Sequence, residues 1–88
     1  MVEPTETIEP IEITVYTREN CHLCAEAINT IEEVGSEVEG NVSLTLVDVD
    51  EAGLEEEYGE RVPYVLIEDR PAFKYRVDPA DLRSRLAP

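Results

Sequence analysis

Two cysteines three residues apart, Cys21 and Cys24, are the residues of this sequence best suited to chemistry. Thiols at this spacing can close to a disulfide and reopen, attack the disulfides of other molecules, or supply two ligands to a soft metal. Two cysteines are too few to form the disulfide framework of a small secreted fold. Zinc wants four ligands, and beyond the pair the chain offers one histidine, His22, which lies between the cysteines and is poorly placed to share their metal. His22 reads either as a partly exposed residue that tunes Cys21 or as the filler of a loop position. Two buried structural thiols remain the alternative for the pair itself.

The surrounding pattern favours exchange chemistry. Ile11, Ile13 and Val15 alternate with Glu12, Thr14 and Tyr16, which predicts a strand. Thr17 to Asn20 is a polar loop with Asn20 as a candidate N-cap. Leu23, Ala27, Ile31, Val34 and Val38 then recur at helical spacing, with Gly35 marking a fraying end and Gly40-Asn41 a turn. Cys21 therefore falls in the first turn of a helix. Unpaired N–H groups and the helix dipole there stabilise a thiolate, so the Cys21 thiol is expected to be more acidic than a free one. Thiolate is the form that attacks disulfides, and Cys24, one turn on, is placed to resolve the mixed disulfide.

Further along, Val42 to Val49 predicts a second strand, and Glu51 to Gly59 a short helix resting on Leu54 and Tyr58. Tyr64 to Ile67 reads as a third strand, Glu68 to Pro71 as a turn, and Ala72 to Val77 as a fourth strand with Phe73, Tyr75 and Val77 on one face. Asp78-Pro79 opens a last helix anchored by Leu82 and Leu86. The order strand, helix, strand, helix, strand, strand, helix describes one α/β domain. It has a four-stranded mixed sheet flanked by three helices on both faces, with a parallel first pair joined by a right-handed crossover. Residues 1–10 read as a flexible acidic tail and 11–88 as the domain.

Charge bounds the partners. The chain carries 21 acidic and seven basic residues, a net charge of −14. Seventeen of the acids and only one base, Arg18, fall in residues 1–60, and six of the seven bases are arginine. Such acidity argues against nucleic acid and anionic membranes as partners. High charge opposes compaction, but the apolar pattern is too regular for a disordered chain. Adaptation to high salt, in which dense carboxylates stay hydrated and their repulsion is screened, accounts for the balance better than ordinary acidity. No basic, apolar leader opens the sequence and no run reaches membrane-spanning length, so a cytoplasmic protein is expected.

The stretch Tyr16-Thr17-Arg18-Glu19-Asn20-Cys21-His22-Leu23-Cys24, with Arg61-Val62-Pro63 downstream, resembles the glutaredoxin-like proteins of the thioredoxin superfamily. The likeness runs from about Ile11 to Leu86 and is nearest to short proteins with a Cys-His-Leu-Cys motif and an Arg-Val-Asp late in the chain, here Arg76-Val77-Asp78. It implies a thioredoxin-like fold and a dithiol–disulfide oxidoreductase with Cys21 as nucleophile and Cys24 as resolving thiol. It also implies a cis bond between Val62 and Pro63 beside the cysteines. Val62 would then pair with a substrate backbone, and Pro63 would keep metal off the thiols. Arg18 matches a basic position that binds a glutathione carboxylate. The implied partners are protein or small-molecule disulfides and a thiol reductant. A low-molecular-weight thiol such as glutathione is the candidate co-substrate, no bound cofactor or metal is implied, and a monomer is expected. The chain departs from glutaredoxins in carrying Phe73-Lys74-Tyr75-Arg76-Val77-Asp78 where they have Gly-Gly before the last helix, and it has no tryptophan before the motif.

Two other readings stand beside this one. One is a soft-metal carrier of the heavy-metal-associated type, for which copper is the probe; its order would be strand, helix, strand, strand, helix, strand. The other is a thioredoxin-fold interaction module without turnover, with the acidic stretch Glu51–Glu60 as its contact surface.

Overall fold

A computed structural model describes residues 11–37 and 42–86. The elements follow as β1 (Ile11–Thr17), α1 (His22–Glu37), β2 (Val42–Asp48), α2 (Glu55–Tyr58), β3 (Tyr64–Ile67), β4 (Arg70–Lys74) and α3 (Pro79–Leu86). This is the order expected of a thioredoxin-like α/β fold, and it is not that of the heavy-metal-associated domains. The sheet runs β2-β1-β3-β4, with β1 and β2 parallel and the other neighbours antiparallel. The expected residues 1–10, together with Val38 and the Gly40-Asn41 turn, lie outside the described residues.

Strand alternation decides which face is covered. Ile13, Val15 and Val65 point to one side and pack with Ile31 and Val34 of α1 and Leu82 and Leu86 of α3; all are buried. Burial of these side chains away from water is the main force holding α1 and α3 to the sheet. On the other face lies the single turn of α2, whose Tyr58 ring stacks on Tyr16 of β1 at 4.5 Å between centroids. The expectation of helices on both faces holds, but the second helix is far shorter than Glu51–Gly59. Residues 49–53 form turns instead, with Gly53 in the left-handed region at φ 73°.

Several local expectations are corrected. Gly35 does not end α1, which continues to Glu37; it sits half-buried beside Val42, with room for a methyl group in ordinary contact with that side chain. The β3–β4 connection is shorter than four residues. Glu68 and Asp69 alone make it, both with positive φ (53° and 66°), as a two-residue hairpin turn requires. Arg70 and Pro71 therefore belong to β4, and a register break opposite Val65 and Leu66 accommodates Pro71 at the sheet's edge. The strand stops at Lys74 because Tyr75 turns into the left-handed region at φ 75°, so Phe73, Tyr75 and Val77 do not share a strand face. Asp78 caps α3 as expected, its Oδ1 accepting the Ala80 and Asp81 N–H groups at 2.9 and 3.4 Å.

Candidate active site

The end of β1 and the start of α1 bring the two cysteines together. Asn20 is not the cap of α1. It lies in the left-handed region at φ 60°, which asparagine tolerates better than most residues, and so turns the chain from strand to helix. The cap is Cys21 itself. Its carbonyl accepts the Ala25 N–H at 3.2 Å, the first bond of the helix, and its Sγ accepts the Cys24 N–H at 3.2 Å. A sulfur thus takes the place that a serine or aspartate oxygen occupies at other helix starts. Cys24 sits at the third helical position, 2 % exposed, whereas Cys21 is half-exposed. The two are joined in a disulfide, with Cα atoms 5.2 Å apart.

A shallow depression of about 470 Å³ surrounds the pair, with Arg18, His22 and Ile28 among its walls. His22 is almost fully exposed and places Nε2 3.0 Å from Glu26 Oε2, one turn along α1. The Arg18 guanidinium is engaged within the chain. Nε and Nη2 donate to the two oxygens of Asp50 at 3.1 and 2.8 Å, and Nη1 donates to the Gly59 carbonyl at 2.9 Å. A Cβ on Gly59 would collide with the backbone carbonyl of Glu55 and press on Nη1, so glycine suits this position. Asp50 and Gly59 were not legible as partners of Arg18, because nothing local in sequence joins residues 32 and 41 positions away.

Val62 and Pro63 lie at the same end of the sheet. Tyr64 pairs with Tyr16 in antiparallel register, so the residues just before Tyr64 stand beside those just after Tyr16. The Val62–Pro63 bond is cis, Pro63 is buried, and its carbonyl accepts the Tyr75 N–H at 2.8 Å. Neither residue lines the depression that Arg18, Cys21 and Cys24 share.

Beneath this end, on the α2 face, Tyr16, Tyr58 and Tyr64 form an aromatic cluster. Burial, reinforced by the neighbouring Tyr58 and by Asp69 and Glu57, raises the Tyr16 phenol above its ordinary pKa. The alternation of Tyr16 with Val15 was visible in the sequence; the stacking of the three rings was not. Among the described residues no three His, Cys, Asp or Glu side chains converge as a metal site would require, and no described helix is long and apolar enough to cross a membrane.

Known proteins share both the sequence pattern and the fold. The sequence model of the glutaredoxin-like domain (DUF836) matches residues 12–87. The chain is 30 % identical over 82 residues to uncharacterized proteins of Mycobacterium tuberculosis (Rv0508) and Mycobacterium bovis (Mb0520), with 86 % of this chain and 82 % of each relative covered. Among solved structures, protein Ne2328 of Nitrosomonas europaea superposes with a TM-score of 0.73 at 28 % identity, over 92 % of this chain and 96 % of that one. Protein XcR50 of X. campestris superposes with a TM-score of 0.66 at 30 % identity, over 86 % and 99 %. With the paired cysteines at the start of α1 and a family match across nearly all of its length, the chain belongs to the glutaredoxin-like (DUF836) family of the thioredoxin superfamily.

Proposed function

We propose that the protein is a thiol–disulfide oxidoreductase in which Cys21 is the nucleophile and Cys24 the resolving thiol. The observation that carries this reading is the asymmetry of the pair. Cys21 is half-exposed and its sulfur already accepts a backbone N–H at the helix start, while Cys24 is buried behind it. On reduction, the same N–H and the unpaired amides of the first turn favour the thiolate of Cys21. That thiolate attacks a sulfur of the substrate disulfide; a new S–S bond forms and one half leaves as a thiol after taking up a proton. The Cys24 thiolate then attacks the Cys21 sulfur, the internal disulfide closes, and the second half leaves. Two electrons pass to the substrate, and an external thiol reductant restores the dithiol.

The substrates in this reading are protein or small-molecule disulfides, met by a monomer in the reducing cytoplasm and without a bound metal or cofactor. Val62 offers backbone beside the site for an extended substrate. The surface acidity serves function in concentrated salt, where the self-repulsion of −14 charges is screened. The test uses the full chain and a disulfide-bearing peptide. Cys24→Ser should accumulate a covalent mixed disulfide at Cys21, seen by mass spectrometry, and Cys21→Ser should neither reduce the peptide nor form an adduct. Undiminished reduction by both variants would sink the proposal.

A further inference from the structure

Arg18 stands in the wall of the depression that holds the cysteines, and its guanidinium is already occupied by Asp50. Two parallel N–H donations to one carboxylate are the arrangement a guanidinium makes with a carboxylate ligand. Asp50 therefore presents to Arg18, from within the chain, the group that a carboxylate-bearing substrate would present from outside. The pair is not sealed off: the Arg18 side chain is 35 % exposed and that of Asp50 46 %. Arg18 is also the one lysine or arginine in residues 1–60, a stretch that carries 17 acids, so no second guanidinium or ammonium from that stretch can receive a substrate anion.

We propose that Asp50 sets the substrate preference of the Cys21–Cys24 site. By holding Arg18 it denies a partner to carboxylates carried near a substrate's sulfur, so that anionic small disulfides such as glutathione disulfide react more slowly than neutral ones. This rests on the exchange reaction proposed above. After the first attack, one half of the substrate is bonded to Cys21 in the depression that Arg18 helps to wall. A carboxylate on that half must either displace Asp50 or remain unpaired in a strongly negative surrounding. A neutral half meets neither condition.

The experiment follows oxidation of the pre-reduced full chain by glutathione disulfide and by hydroxyethyl disulfide, and reads the ratio of the two rate constants. Asp50→Asn keeps the shape of the side chain, removes the charge and one of the two acceptors that hold Arg18, and should raise the glutathione-to-hydroxyethyl ratio by up to about five-fold, the scale of an exposed ion pair. The gain should shrink in molar KCl and vanish when Arg18→Gln is added. Arg18→Gln alone should leave the ratio nearly where it is. A ratio unmoved by Asp50→Asn, or a gain that survives loss of Arg18, overturns the proposal and leaves the exchange reading intact. So does a ratio that falls sharply in Arg18→Gln, which would mean that Arg18 already serves the substrate. Failure of the wild-type chain to react with either disulfide overturns the exchange reading, and this proposal with it.

Discussion

Arg83 reaches from α3 to Glu37 in the last turn of α1, its Nε 2.7 Å from Oε1 and its Nη2 3.3 Å from Oε2. Hydrogen bonding to Arg83 holds the Glu37 carboxyl below its ordinary pKa of 4.5. A lowered folded-state pKa means that the contribution is complete above the ordinary value and is lost as pH falls through the lowered one. Glu37→Gln should therefore lower the urea midpoint slightly at pH 7, and the difference from wild type should close as the pH is brought below 4. A difference that stayed constant down to pH 2 would show that the pair does not contribute through its charge. Both side chains are about half exposed, so the effect should also weaken in high salt.

Tyr16 answers to the opposite end of the pH scale. Its phenol is raised first by burial, so the folded chain holds that proton more tightly than the unfolded chain does. The contribution is complete below the ordinary value of 10.0 and lost as pH rises through the raised one. Tyr16→Phe should remove phenolate absorbance that appears only above pH 10 and should make alkaline unfolding less steep. An alkaline titration unchanged in its late part would contradict the burial of this ring.

The last helix hangs on two leucines. Leu82 is fully buried among Ile13, Ile31 and Val65, and Leu86 is 5 % exposed. Leu82→Ala should cost about 2–5 kcal/mol, a large share of the stability of so small a domain. Chemical denaturation checks this. A loss below about 1 kcal/mol, the scale of a change at a site that does not leave a cavity, would mean that α3 is not packed on the sheet as described.

Salt should act in the direction set by the charge. With −14 net charge, folding concentrates repulsion that mobile ions relieve. Thermal melts should move up between 0.1 and 3 M KCl. Equal melting temperatures would remove the case for adaptation to high salt and leave an ordinary acidic surface.

Local chemistry carried most of what the sequence disclosed. The alternation of Ile11, Ile13 and Val15, the Asp78-Pro79 helix start and the cysteine pair after a strand each follow from forces acting within a few residues, and each stands where it was read. The departures arise where two local rules compete. Asn20 is a good cap and also a good left-handed residue; the sharp turn from β1 into α1 uses the second property, and capping passes to the sulfur of Cys21. Pro71 reads as a turn residue, yet an edge strand with a register break admits it. Tyr75 continues an apolar alternation on paper, but its backbone reverses so that Arg76 to Asp78 can lead into α3. The occupation of Arg18 by Asp50 and Gly59 lay beyond any local rule, since the contact exists only once β1, the turn after β2 and α2 have met.

The outer rim of the sheet has a consequence for how the protein behaves in a crowded solution. β4 is an edge, five residues long, interrupted by Pro71, irregular in register, and bounded by Arg70 and Lys74. Brevity, a proline, a kink and a cation are each devices that keep an open strand from templating another. Copies of the chain meeting along this side find no continuous ladder to extend, so concentration alone should not zip them into fibrils there.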